Sequence, residues 1–165
     1  MNYSFYKILG FLNSTATGHP HIKSFMVGDI SEIDTFKQTL FPLCYLVPGE
    51  AVINVYGSST FNFNLIVCDR VVLTSNEGDI DEVSTLEYNY TGLSNVIDVW
   101  NDTLSTLNDI VSFVQRNADS NAFQIYDDVS CLPFKDRFNN TLAGWGATIT
   151  FTMPNDKPAC EITLQ

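Results

Sequence analysis

Positive charge is scarce in this 165-residue sequence, in which eight Lys and Arg face 19 Asp and Glu, for a formal net charge of −11. With so few cationic side chains, the chain could neutralise only a few nucleic-acid phosphates, which argues against a general nucleic-acid-binding protein. The same scarcity argues against binding to an anionic membrane surface. Charged residues make up only 16% of the chain, below the usual ~25%. Serine, threonine and asparagine fill the polar positions instead, and such uncharged groups are easier to desolvate at an interface.

Long apolar runs are also missing. None approaches the ~18–20 residues that span a bilayer, and residues 1–17 lack the basic start and continuous apolar centre of a signal peptide. We therefore expect no membrane partner, a chain that begins here, and synthesis in the cytoplasm of the producing cell. None of the four cysteines (Cys44, Cys68, Cys131 and Cys160) belongs to a CxxC pair, so we expect reduced, mostly buried thiols.

The motifs of common enzyme chemistries are absent as well. The sequence contains no GxSxG, no GxGxxG and no GxxxxGK[ST]. His19 and His21 are its only histidines, and residues two apart point to opposite sides of an extended chain. A helix-ending turn is therefore favoured over a metal site at these histidines. We expect no enzyme, no catalytic residue, no cofactor and no metal.

Apolar spacing predicts two helices, over 2–17 and 93–116. In the second helix, the stripe expected to face the core includes Trp100, Leu104, Leu107 and Val111, and the strand expected to cover it presents Trp145.

Strand patterns surround these helices. Residues 22–27, 43–47, 51–56 and 61–73 read as about three strands, with a turn at Pro48-Gly49, and two more are expected at 123–131 and 142–153, joined by a connector over 133–140. The order α-β-β-β-α-β-β predicts one α+β domain over residues 1–165, with a mostly antiparallel sheet of about five strands packed against two helices.

A long polar loop over 74–92 is the candidate functional segment. It carries five acidic residues, Glu77, Asp79, Asp81, Glu82 and Glu87, and no Lys or Arg occurs between Arg70 and Arg116. Asp79-x-Asp81 lacks the remaining ligands of a calcium loop, so calcium is not favoured. Two interpretations stay open: a solvated acidic loop, or the wall of a pore that repels DNA and lets it slide.

A small basic cluster follows the fourth predicted strand. Lys135, Asp136 and Arg137 are adjacent in the sequence. They are interpreted as a solvated turn or, alternatively, as a contact with an acidic neighbouring subunit.

Two segments carry a resemblance to a known family. The first segment is "IKSFMVGDI" over 22–30. The second is the stretch 131–160, which contains Phe138-Asn139-Asn140, the Leu142–Trp145 run "LAGW", the predicted strand Ile149 to Met153, the turn Pro154-Asn155 and finally Cys160. In these residues and in its order of elements the chain resembles phage tail-completion and tail-terminator proteins, and it is most similar to the neck ring proteins of crAss-like phages.

The resemblance implies a tail-terminator-like fold and a structural role in the virion. Such proteins form rings, with twelve copies favoured here and six possible, that join a portal or adaptor to the tail and line or seal the DNA channel. It implies no cofactor, and DNA that passes through the lumen without specific binding. Two alternatives stay open: a cytosolic protein-binding module with the same α+β build, and a small enzyme with an unrecognised site.

Overall fold

The computed structural model describes residues 3–29, 40–54, 57–71, 95–125, 128–137 and 142–154. Its elements are α1 (Tyr3–Thr17), β1 (Ser24–Val27), β2 (Leu43–Asn54), β3 (Ser58–Arg70), α2 (Val96–Asn117), β4 (Cys131–Arg137) and β5 (Leu142–Pro154), and a 3-10 turn lies at Asp119–Asn121. This order, α-β-β-β-α-β-β, confirms the predicted α+β class.

The five strands form one mixed sheet in the order β1-β2-β3-β5-β4. Only β1 and β2 are parallel, and the other three pairs are antiparallel. The two 13-residue strands β3 and β5 pair along their whole length, from Ser58 opposite Pro154 to Arg70 opposite Leu142. This long central pair is the platform on which the helices lie.

Both helices pack on one face of this platform. Because side chains alternate between the faces of a strand, Phe63 and Leu65 of β3 point to the same side, and Phe151 of β5 joins them in the core. The helices contribute Ile8 from α1 and Ile110 from α2, among others. None of the helices in the described part is long and apolar enough to cross a membrane.

The opposite face of the sheet is divided into an apolar and a polar part. A second buried cluster consists of Leu43, Tyr45, Ile66, Cys68 and Leu142. Further along β3 and β5 the same face is polar: the Thr148 hydroxyl donates to Asn64 Oδ1 at 2.7 Å, and the Thr150 hydroxyl donates to Asn62 Oδ1 at 2.9 Å. Cross-strand pairs of this kind stabilise the exposed part of the sheet.

The turn predicted at Pro48-Gly49 is wrong. Strand β2 continues through both residues, and its pairing with β3 shifts register between Pro48 and Ala51. The turn that the sequence also predicts at Gly57-Ser58-Ser59 is present, and Gly57 adopts a left-handed φ of 88° that glycine accepts without steric cost. Proline is tolerated within β2 because β1 pairs with β2 only as far as Leu46, which leaves Pro48 on an edge.

The strand predicted over 123–131 is also wrong. Among the described residues of this segment that precede Cys131, only Gln124 forms a bridge, to Thr152. The strand begins at Cys131, in residues expected to be mostly connector. Phe123 is fully buried, so its apolar character reflects burial and not strand pairing. Pro133 lies within β4, which as the outermost strand of the sheet can accommodate a missing N–H.

Helix α2 is rotated relative to the predicted core stripe. Ile97 and Leu104 are 45% and 37% exposed, whereas Val99, Thr103 and Thr106 are buried. The helix therefore buries two hydroxyl side chains that periodicity of apolar residues alone does not assign to the core.

An acidic pocket beside helix α2

The five predicted loop acids, Glu77, Asp79, Asp81, Glu82 and Glu87, lie outside the described residues, so the structure brings none of them to a site. The chain on either side of that loop is described, however. Asp69, near the end of β3, and Asn95, just before α2, line the same pocket. The described residues on the two sides of that segment therefore meet at one pocket.

The pocket has a volume of about 350 Å³ and lies between the end of β3 and the first half of α2. Three carboxylates line it: those of Asp69, Asp98 and Asp102. Asp98 is in the first turn of α2, where the helix dipole favours negative charge. Asp102 follows four residues later, on the same side of the helix.

Asp69 is the most enclosed of these acids. Burial raises the pKa of its carboxyl group; the Arg70 N–H, which donates to Oδ1 at 2.7 Å, and the Arg70 charge act against that, and Asp102 adds to the rise. The Arg70 guanidinium carbon lies 4.9 Å from the centre of the Phe41 ring, a cation–π contact. The carboxylate of Asp69 is thus left without a salt bridge among the described residues.

Two threonines of α2 line the pocket with opposite hydrogen-bonding states. The Thr103 hydroxyl donates to the Val99 carbonyl one turn earlier. Thr106 is only 5% exposed, and its hydroxyl has no hydrogen-bond partner in the described part of the chain. A buried hydroxyl without a partner is costly, so this group marks the pocket as chemically incomplete.

The two histidines lie along the same acidic side of α2. His19 Nε2 is 3.5 Å from Asp109 Oδ2, and His21 lines the pocket. The backbone N–H of His21 donates to His19 Nδ1 at 3.3 Å, so in the neutral imidazole the proton belongs on Nε2, facing Asp109. The ring centres are 5.6 Å apart. The helix-ending turn expected at these residues is confirmed, since both histidines lie in the turn that follows α1.

The described residues contain no group of three His, Cys, Asp or Glu side chains that could hold a metal ion. Of the basic cluster, Lys135 and Arg137 belong to edge strand β4, where a turn was expected. Cys44, Cys68 and Cys131 are free, as predicted, whereas Cys160 lies outside the described residues.

Sequence reasoning missed the two residues that define this pocket. Asp69 immediately precedes Arg70, where the run without bases begins, and Thr106 falls between the apolar positions of α2. Asp69 could have been singled out as a carboxylate at the end of an alternating strand. The burial of Thr106 can be recognised only once the rotation of α2 is known.

No protein-family model and no curated protein matches this chain. The function must therefore be inferred from the residues and their geometry.

Proposed function

We propose that this chain is a structural protein of a bacteriophage virion that assembles as a ring in the neck, between the portal or adaptor and the tail. Its partners would be other copies of itself and the ring proteins above and below. Its acidic side would line the channel, through which DNA passes without specific binding. The ring would be assembled in the host cytoplasm and would need no catalytic group or cofactor.

The observation that carries the proposal is the unneutralised acidic side of α2. Asp98, Asp102 and Asp109 follow one another along the helix, and Asp69 adds a fourth carboxylate. No Lys or Arg of the described residues forms a salt bridge with any of them. A channel wall of this sign repels DNA phosphates over the ~8–10 Å across which charge is felt at physiological salt, so DNA would not adhere.

Exposed apolar side chains at the two edges of the sheet support self-association. Ile53, on the part of β2 that extends beyond β1, is 75% exposed, and Leu132, on outermost strand β4, is 73% exposed. A ring needs a heterologous interface in which one flank of a subunit meets the opposite flank of the next. Apolar groups on opposite edges suit such an interface.

The residues of the resemblance support the fold more than the channel. Trp145 of the "LAGW" run donates its indole N–H to the Trp100 carbonyl at 2.9 Å, and Trp100 donates its own to the Phe134 carbonyl at 2.9 Å. These bonds tie β5 and β4 to α2. The ring role therefore depends on the acidic side and the exposed edges as well as on the resemblance.

Light scattering during size-exclusion chromatography tests the ring. Twelve chains of 18.5 kDa weigh about 220 kDa and six about 110 kDa. Ile53→Lys and Leu132→Lys should each reduce assembly, whereas Asn108→Lys, which adds the same charge on an exposed part of α2, should not. A monomer both in solution and in purified particles would contradict the proposal and favour the cytosolic binding module.

The channel assignment needs its own test. Replacing Glu77, Asp79, Asp81 and Glu82 with lysine should leave the ring intact and slow DNA packaging or ejection, because the wall becomes adhesive. A structure of the assembled ring decides the matter. If residues 74–92 lie on its outer rim, the acidic segment does not line the channel.

A further inference from the structure

We propose that the acidic pocket beside α2 binds the guanidinium group of an arginine presented by another protein chain. The pocket is the one lined by Asp69, Asp98, Asp102 and Thr106. The inference does not rest on ring formation or on a DNA channel, since a binding module with this pocket would use it in the same way.

The first step is charge. Three carboxylates line one concavity, and among the described residues none of them forms a salt bridge with Lys or Arg, although the Arg70 charge acts on Asp69. The Asn101 amide donates to Asp102 Oδ1 at 3.3 Å, which satisfies a lone pair but brings no charge. A cation entering the pocket would therefore replace repulsion among like charges with attraction.

The second step is the unpartnered hydroxyl. A helical threonine can donate to the carbonyl four residues earlier, and Thr103 does so. Thr106, although 95% removed from solvent, has no such bond. Its hydroxyl oxygen can accept an N–H from a ligand, which no apolar occupant would supply. A buried hydroxyl and carboxylates in one pocket together suit a cation that carries hydrogen-bond donors.

The third step is the choice of cation. A metal ion is disfavoured, because no three potential ligands of the described chain are close enough together to hold one. Guanidinium carries five N–H donors in a plane and stays charged at all physiological pH values. It suits acceptors spread around a pocket of about 350 Å³ better than a compact ammonium does. Partially desolvated carboxylates such as Asp69 also strengthen charge-assisted hydrogen bonds.

The probe for this proposal is N-acetyl-arginine N-methylamide, titrated into the 15N-labelled chain and followed by amide chemical shifts. The neutral analogue N-acetyl-citrulline N-methylamide, with nearly the same shape, is the matched control, and ionic strength is held constant with NaCl. We expect saturable shifts at Val99, Thr103 and Thr106 with the arginine compound and none with the citrulline compound.

Three variants locate the binding. Asp102→Asn and Thr106→Val, each nearly isosteric, should weaken binding of the arginine compound about tenfold, the scale of one lost hydrogen bond to a charged group. Asp119→Asn removes the same charge at an exposed position outside this pocket and should leave binding unchanged.

Equal shifts with both compounds, absence of saturation, or equal weakening by Asp119→Asn would overturn the proposal. Because the readout is binding to the free chain, it can fail while rings still form, or succeed where they do not.

Discussion

Gly144, the first glycine of the Leu142–Gly146 run, should be irreplaceable by alanine for a purely steric reason. A β-carbon built there meets the Val67 carbonyl oxygen at an impossible distance, and lies 2.7 Å from Cys68 Cα and 2.9 Å from Cys68 Cβ. Ordinary contact begins near 3.4 Å, so β3 or β5 would have to move. Neither can do so cheaply, since β3 is hydrogen-bonded on both sides, to β2 and to β5.

The size of the effect can be stated against a close control. Overpacking costs ~1–3 kcal/mol, and occasionally more. Because the added methyl group would meet backbone atoms of β3, we expect Gly144→Ala to lower the free energy of unfolding by about 3 kcal/mol. That corresponds to a melting temperature lowered by about 6–12 °C in a chain of this length. At Gly146, two residues along the same strand, the new β-carbon would lie 3.8 Å from Ile66 Cγ1, so Gly146→Ala should be neutral or slightly stabilising.

The comparison isolates the clash. Both substitutions restrict the unfolded chain equally, and neither glycine has a positive φ, so the difference in melting temperature, measured by circular dichroism, reports contact alone. If the two variants melt within about 2 °C of each other, the close approach of β3 and β5 at Gly144 is wrong.

Three further predictions concern other parts of the molecule. In the native chain iodoacetamide should modify Cys131 far faster than Cys44 or Cys68, because these two are fully buried and burial raises the pKa of Cys68 to about 12; mass spectrometry of each thiol checks this, and equal rates would contradict it. Because burial raises the pKa of Asp69, the folded chain binds more protons than the unfolded chain between the two pKa values, so stability falls as pH rises through that window. Asp69→Asn should therefore melt higher than the parent at neutral pH but not in acid, and a pH-independent difference would refute this. Trp145→Ala should lose about 3 kcal/mol in chemical denaturation, and parental stability would show that its packing and indole hydrogen bond contribute little.

The sequence was informative wherever one local pattern decides the structure. Strand β5 alternates over its whole length, and both helices have long apolar stripes, so these elements fall where predicted. Within β5, the close approach of Gly144 to the Val67 carbonyl and to Cys68 explains why a glycine stands in the "LAGW" run.

The misses occurred where tertiary context overrides local preference. Proline and glycine are turn signals, yet Pro48-Gly49 lies inside β2 because β1 ends before it and leaves an edge. In α2 the apolar stripe is wider than the buried face, and the sheet selects Val99 and Thr106 over Ile97. The pocket depends on that rotation and on Asp69, which comes from an element 29 residues from Asp98 in the chain. Local periodicity in the sequence cannot predict that the end of β3 and the start of α2 come together.

Under the two proposals, the acidity of this chain would serve two ends, because repulsion and recognition require different surroundings. Repelling DNA needs only net charge within a Debye length, so hydrated carboxylates suffice and their arrangement matters little. Binding an arginine needs partly desolvated acceptors held in place, as Asp69 is by the Arg70 N–H and as Thr106 is by its burial in α2. Charge reversal at 77–82 should therefore change DNA passage but not arginine affinity. The isosteric change Thr106→Val should do the opposite, since it leaves the net charge untouched.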